Sequence, residues 1–156
     1  MSVRIEPGSD TQDGSNSRIP KKWYLWIETT KKEGRAGYGA AAIAKGDTGD
    51  IVMATRNLYT ESALGARLEI LRIILNRIAP FGNYKIWCRD TTKKWEKIWN
   101  NRTRVPWKLK PVMEDIQDQK EKGNHMVFYN FGHPLVKEVK KAAQAATSTN
   151  ISFSWP

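Results

Sequence analysis

Three carboxylates stand where a fold could bring them to one place. Glu28 directly follows the apolar run Trp23–Ile27, Asp90 lies just past the apolar stretch Tyr84–Cys88, and Glu69 falls between them in sequence, beside a helical apolar stripe. A carboxylate at the tip of a buried strand is one way to aim an acidic group into a site. The plainer alternative is that Glu28 marks where the strand meets water, because Glu is usually solvated. A second chemistry-bearing stretch is Tyr84–Lys110, with nine Lys/Arg against Asp90 and Glu96, a net +7 in 27 residues, interleaved with Trp87, Trp95, Trp99 and Trp107. Lys and Arg neutralise phosphates and release counterions, so this excess fits a polyanion-binding surface. Arg89, Lys93, Lys94, Lys97, Arg102 and Arg104, with Trp95 and Trp99, are the residues expected to meet nucleic acid. The competing reading is a solvated lysine-rich helix whose tryptophans face the core.

Composition removes several function classes. The chain has 156 residues, one domain's length, and a net charge of +10. One cysteine, Cys88, excludes a disulfide framework and fits a reducing compartment. With only His125 and His133 beside it, a structural zinc site is excluded as well. No apolar run approaches the roughly 18–20 residues of a membrane helix, and no long basic amphipathic helix suggests a membrane surface. The N-terminus is polar, with no secretory signal. The expected location is intracellular: cytoplasm, nucleus, or a viral or retroelement particle.

The elements that must position these groups follow in order. Residues 1–20 are rich in Ser, Gly, Asp and Asn and are expected to form a flexible tail or linker. Trp23–Thr30 suits a central strand buried on both faces. Ala36–Ala44 reads as a second strand of small residues, open to close approach by a helix or a ligand. Ile51–Asn57 makes a third strand after the turn Lys45–Asp50. Thr60–Ala79 is a helix: Leu64, Leu68, Leu71, Leu75 and Ile78 form one stripe, Thr60 or Ser62 can cap it, and Pro80 stops it. Tyr84–Cys88 is a fourth strand, Thr92–Asn100 and Lys110–Lys122 are helical, and His125–Tyr129 is a fifth strand. Pro134–Ala146 is the last helix, and residues 147–156 form a polar tail with no clear element. The long helix joining strands three and four implies parallel pairing of strand four with strand one. Glu28 and Asp90 then sit at the carboxyl ends of neighbouring parallel strands, where open α/β sheets bind ligands.

In element order and in four short motifs, the chain resembles the ribonuclease H family over about Trp23–Ala146. The motifs are Ala36–Ala40 (AGYGA), Arg67–Ile70 (RLEI), Arg89–Thr91 (RDT) and Gly132–Pro134 (GHP). The resemblance implies an α/β domain over residues 21–146, a five-stranded mixed sheet in the order 3-2-1-4-5 with helices on both faces. It also implies a site in which four carboxylates hold two Mg²⁺ (or Mn²⁺) ions about 3.5–4 Å apart, activating water and stabilising the leaving oxygen. Carried over by position, Glu28, Glu69 and Asp90 are the first three, catalytic and metal-ligating.

The departures from the family pattern bear on the same chemistry. The first carboxylate is an Asp followed by Gly in the family, but here it is Glu28 followed by Thr29. The fourth falls at Lys140, in a register set by Val139, Ala142 and Ala143; Glu138 would point about 200° away. The family's loop His falls at Asn130, its hybrid-contacting Asn pair at Gly65 and Ala66, while His133 matches its second His. The reading is therefore a nucleic-acid-binding domain, for RNA–DNA hybrid or structured RNA, with a partly dismantled two-metal site. Degraded copies of this domain occur within retroviral polymerases, so a place in a larger polyprotein or complex is expected. The alternatives are an active Mg²⁺-dependent hybrid endonuclease and a protein-interaction or assembly domain.

Overall fold

The run Trp23–Ile27 becomes the middle of the sheet. In a computed structural model that describes residues 22–82, 84–148 and the backbone of 152–155, β1 (Lys22–Lys31) pairs antiparallel with β2 (Tyr38–Gly46), and β2 with β3 (Ile51–Leu58). β4 (Lys85–Arg89) lies parallel to β1, and β5 (His125–Tyr129) parallel to β4. The expected order 3-2-1-4-5 is present, and the parallel pairing of β1 with β4 places Glu28 and Asp90 toward the same end of the sheet. The tail expected over residues 1–20 lies outside the described residues.

One expectation is corrected. Residues 147–156 were to carry no element, yet β6 (Ser152–Trp155) pairs antiparallel with Ile51–Ala54 of β3, making a sixth strand. Strand pairing uses backbone N–H and C=O groups, which a Ser-rich segment possesses as fully as an apolar one. An unpaired strand edge is also costly to leave open. Polarity was therefore a poor guide there.

Helices cover the sheet unequally. α1 (Ala63–Ile78), α2 (Lys94–Trp99) and α3 (Lys110–Glu121) bury one face. Ser62 caps α1, its hydroxyl accepting the Gly65 N–H at 3.0 Å. Leu68, Leu71, Ile74 and Leu75 of α1 meet Trp23 and Leu25 of β1 and Ile86 of β4, all buried. Each such side chain contributes about 1.5–3 kcal/mol of burial free energy. Among the described residues α4 (Pro134–Ala145) alone covers the other face, packing Val139 and Ala143 on Trp26, Ala41 and Ile43 over β1, β2 and β3. A Cβ at Gly39 of β2 would run into the Ala143 carbonyl and stand 2.7 Å from the Thr147 nitrogen. The visitor that the small-residue strand admits is thus the helix α4.

Candidate nucleic-acid interface

At the carboxyl end of β4, beside the part of β1 that runs past it, lies a cleft of about 310 Å³, lined by Glu28, Arg67, Arg89, Asp90, Lys94 and Lys140 among others. β1 delivers Glu28, β4 delivers Arg89 and Asp90, and the starts of α1 and α2 bring Arg67 and Lys94. α4 supplies Lys140 from the opposite side. Val139 and Ala143 are the buried frame that sets this register, as the sequence indicated. Glu138 turns away to a groove over β2 and β3, 4.0 Å from Lys141. Four cations therefore face two carboxylates.

Those two carboxylates have different duties. Asp90 is nearly buried, and its oxygens accept the Thr92 N–H at 3.4 Å and the Glu96 N–H at 2.9 Å. It holds the turn that starts α2, where Lys93 takes a left-handed backbone (φ 64°) and offers no side-chain cap. Glu28 is half-buried. Desolvation lifts its pKa above the ordinary carboxylate value, and Lys140, then Lys94 and Arg89, pull it back only in part.

Glu69 does not line the cleft. Arg67 of the same helix does, and two residues further on a helix face turns by about 200°. Glu69 instead pairs with Arg72 one turn along α1. Among the described residues no group of three or more His, Cys, Asp or Glu side chains is placed to hold a metal ion. The donors thus fit a divalent pair poorly. Glu28 stands beside three cations, and the Asp90 oxygens already accept backbone N–H groups.

The basic segment divides in two. Lys93, Lys94, Lys97, Arg102 and Arg104 are exposed, and Arg89 is half-buried with its Nε donating to the Phe131 carbonyl at 2.8 Å. Trp95 and Trp99, expected to meet nucleic acid, are 8% and 3% exposed and pack in the core, although Trp95 also lines the cleft. The reason is the stripe Trp95, Ile98, Trp99 at helical spacing, which turns under the sheet. α3 locks that packing in place: Gln117 donates to the Ile98 and Trp99 carbonyls at 3.2 and 3.4 Å, and Lys120 to Trp99 at 3.1 Å. The ring left outside is Trp107, 77% exposed, which the site reading passed over. Its signal was its position between Pro106 and Lys108, outside any apolar stripe. His133 is structural in part, its Nδ1 accepting the Leu135 N–H at 3.0 Å to cap α4.

Comparison with known proteins agrees with this architecture. Sequence comparison matches the chain to no family model and to no curated protein. Among solved structures it is similar to RNase H1 of the halophilic archaeon Halobacterium salinarum NRC-1, with a TM-score of 0.63 and 12% identity, over 81% of this chain and 98% of that one. The N-terminal RNase H domain of Rv2228c from Mycobacterium tuberculosis gives 0.65 at 12% identity, over 81% and 98%. LC11-RNase H1 in complex with an RNA/DNA hybrid gives 0.63 at 13% identity, over 81% and 96%. The chain has the ribonuclease H-like fold. Among the described residues no helix is long and apolar enough to cross a membrane.

Proposed function

We propose that this chain is an RNase H-like nucleic-acid-binding domain that grips a phosphodiester backbone directly, with one cation, Lys140, where the family places its fourth carboxylate and three more lining the same cleft. The observation that carries this is the charge of the cleft: Arg67, Arg89, Lys94 and Lys140 against Glu28 and Asp90. A phosphate entering there meets net positive charge, whereas a divalent cation meets repulsion. Exposed Lys93, Lys97, Arg102 and Arg104 extend the basic surface beyond the cleft for further backbone contacts. The solved LC11-RNase H1 complex with an RNA/DNA hybrid supports hybrid as the first ligand to try. Hybrid cleavage is accordingly expected to be weak or absent, with no dependence of binding on Mg²⁺ or Mn²⁺.

The test is fluorescence anisotropy on a labelled blunt RNA–DNA hybrid across a salt series, with a gel readout of cleavage in Mg²⁺ and in Mn²⁺. Arg67→Glu with Lys140→Glu should weaken binding at least tenfold while the fold persists by circular dichroism. Unchanged low-salt affinity in that variant would remove the cleft from the interface. Robust Mg²⁺-dependent cleavage by the natural chain, lost in Asp90→Asn, would make it a working nuclease instead.

A further inference from the structure

The face of the sheet that α4 shares carries a second groove, of about 510 Å³, within the roughly 300–1,000 Å³ of ligand sites. Tyr24 and Trp26 of β1, Trp87 of β4, Tyr129 at the end of β5, and Phe131 with His133 in the following loop line it. The rings form a graded series. Tyr24 stacks on Trp26 and on Trp87 with centroids 6.4 Å apart in both pairs, Trp26 on His133 at 4.5 Å, and Tyr129 leans on Phe131 at 5.3 Å. Phe131 is 70% exposed. α4 packs over β1, β2 and β3, and the rings over β4 and β5 stay half-open.

We infer that this groove is a stacking platform for unpaired nucleobases of a strand whose backbone lies in the adjoining cleft, an inference that rests on the binding function proposed above. Charge complementarity selects the occupant. Lys22 Nζ stands 4.9 Å from the Trp87 ring centre and 5.4 Å from that of Tyr24, Lys85 Nζ stands 5.5 Å from Trp87, and Lys45 lines the groove. One carboxylate, Asp47, also lines the groove, so Lys22, Lys45 and Lys85 leave an excess of positive charge that an apolar peptide does not need and that opposes a cationic ligand. Bases offer π faces of any sequence to aromatic rings while their phosphates reach ammonium groups. Continuity with the cleft is structural: Arg89 lines the cleft, and its Nε holds the carbonyl of Phe131, which lines the groove. A strand gripped at Arg89 therefore has rings within reach of its next unpaired bases.

The test compares a short oligothymidylate, an abasic phosphodiester of equal length and the blunt hybrid on the full chain. The oligothymidylate should bind and the abasic strand should bind roughly tenfold more weakly. Phe131→Ala, an exposed site where folding is not at stake, and Trp87→Leu should each cost the oligothymidylate several-fold and leave the blunt hybrid unchanged. Equal binding of abasic and thymidylate strands, or indifference to both substitutions, overturns the inference. Binding of the hybrid without the oligothymidylate overturns it too and leaves the cleft reading standing, whereas binding of neither ends both. Dimerisation of the free chain in sedimentation, abolished by Phe131→Ala, would assign the groove to a second copy and likewise overturn the proposal.

Discussion

The two faces of the sheet use the same strands for different ends. On β1, Trp23, Leu25 and Ile27 point under α1 and its neighbours and are sealed, while Tyr24, Trp26 and Glu28 point to the face that α4 covers only in part. On β4, Ile86 and Cys88 are sealed, and Asp90, next in that alternation, turns to α2. The two cleft carboxylates therefore arrive from opposite faces. Asp90 is recruited by the sealed side to hold a helix start, and Glu28 is left on the open side among cations. The sealed face supplies stability, and the open face supplies surface.

The largest effect should come from the sealed face. Trp99→Ala removes a 3% exposed ring and should lower the free energy of unfolding by about 3–5 kcal/mol. Phe131→Ala on the open face should change it by less than about 0.5 kcal/mol. Urea titrations of both variants measure this directly. A Trp99→Ala chain of normal stability with weakened nucleic-acid binding would return Trp99 to the interface.

Next comes the exposed charge beside the cleft. Reversing Lys93, Lys94 and Lys97 to Glu should weaken hybrid, RNA and DNA binding alike, on the order of a hundredfold at low salt. The slope of log affinity against log salt should shrink by up to about 3 as phosphate contacts are lost. Stability should hardly move, because all three side chains are exposed. Affinity unchanged for all three ligands would reduce this surface to solvation.

The sealed face was the legible one. A continuous apolar run, a leucine stripe and turn residues name their elements without tertiary information, and the sheet order follows from parallel pairing across α1. The site was legible only in part. Glu28 and Asp90 could be placed because strand ends project to one edge. Glu69 could not, because a boundary residue on a helix goes wherever its nearest partner holds it, and Arg72 is three residues away. Trp95 and Trp99 resembled an aromatic-basic motif, yet their spacing with Ile98 was itself a core signal. The aromatic groove draws rings from β1, β4 and the end of β5, so no local pattern announces it. β6 was hidden because pairing is a backbone property.

The third effect separates the two carboxylates. Asp90→Ala strips the acceptor from the Thr92 and Glu96 N–H groups and should cost about 1–2 kcal/mol of stability. Asp90→Asn keeps one acceptor and should lose distinctly less, measured by urea unfolding. If both variants are as stable as the natural chain, Asp90 does not hold α2.

The smallest effect, and the one that tests the open side most directly, belongs to Glu28. Its folded pKa is raised above the ordinary 4.5, with desolvation the main cause. The sign follows from linkage: a raised acid contributes stability that is fully present below the unfolded value and lost as pH rises through the folded value. At pH 7 the ionised carboxylate is therefore a net cost, which Glu28→Gln removes. The Glu28→Gln variant should be slightly more stable than the natural chain at pH 7, by well under about 1 kcal/mol because the site is partly solvated. The difference should vanish near pH 4, and thermal unfolding at the two pH values reads it. The same group couples to binding, since a phosphate brought beside it favours its protonated form. Hybrid affinity of the natural chain should rise as pH falls from 7 toward 5, while that of Glu28→Gln starts higher and stays flatter over the same range. Parallel pH profiles for the two chains would mean that no phosphate comes near Glu28, and the cleft would lose its place as the point where the backbone is held.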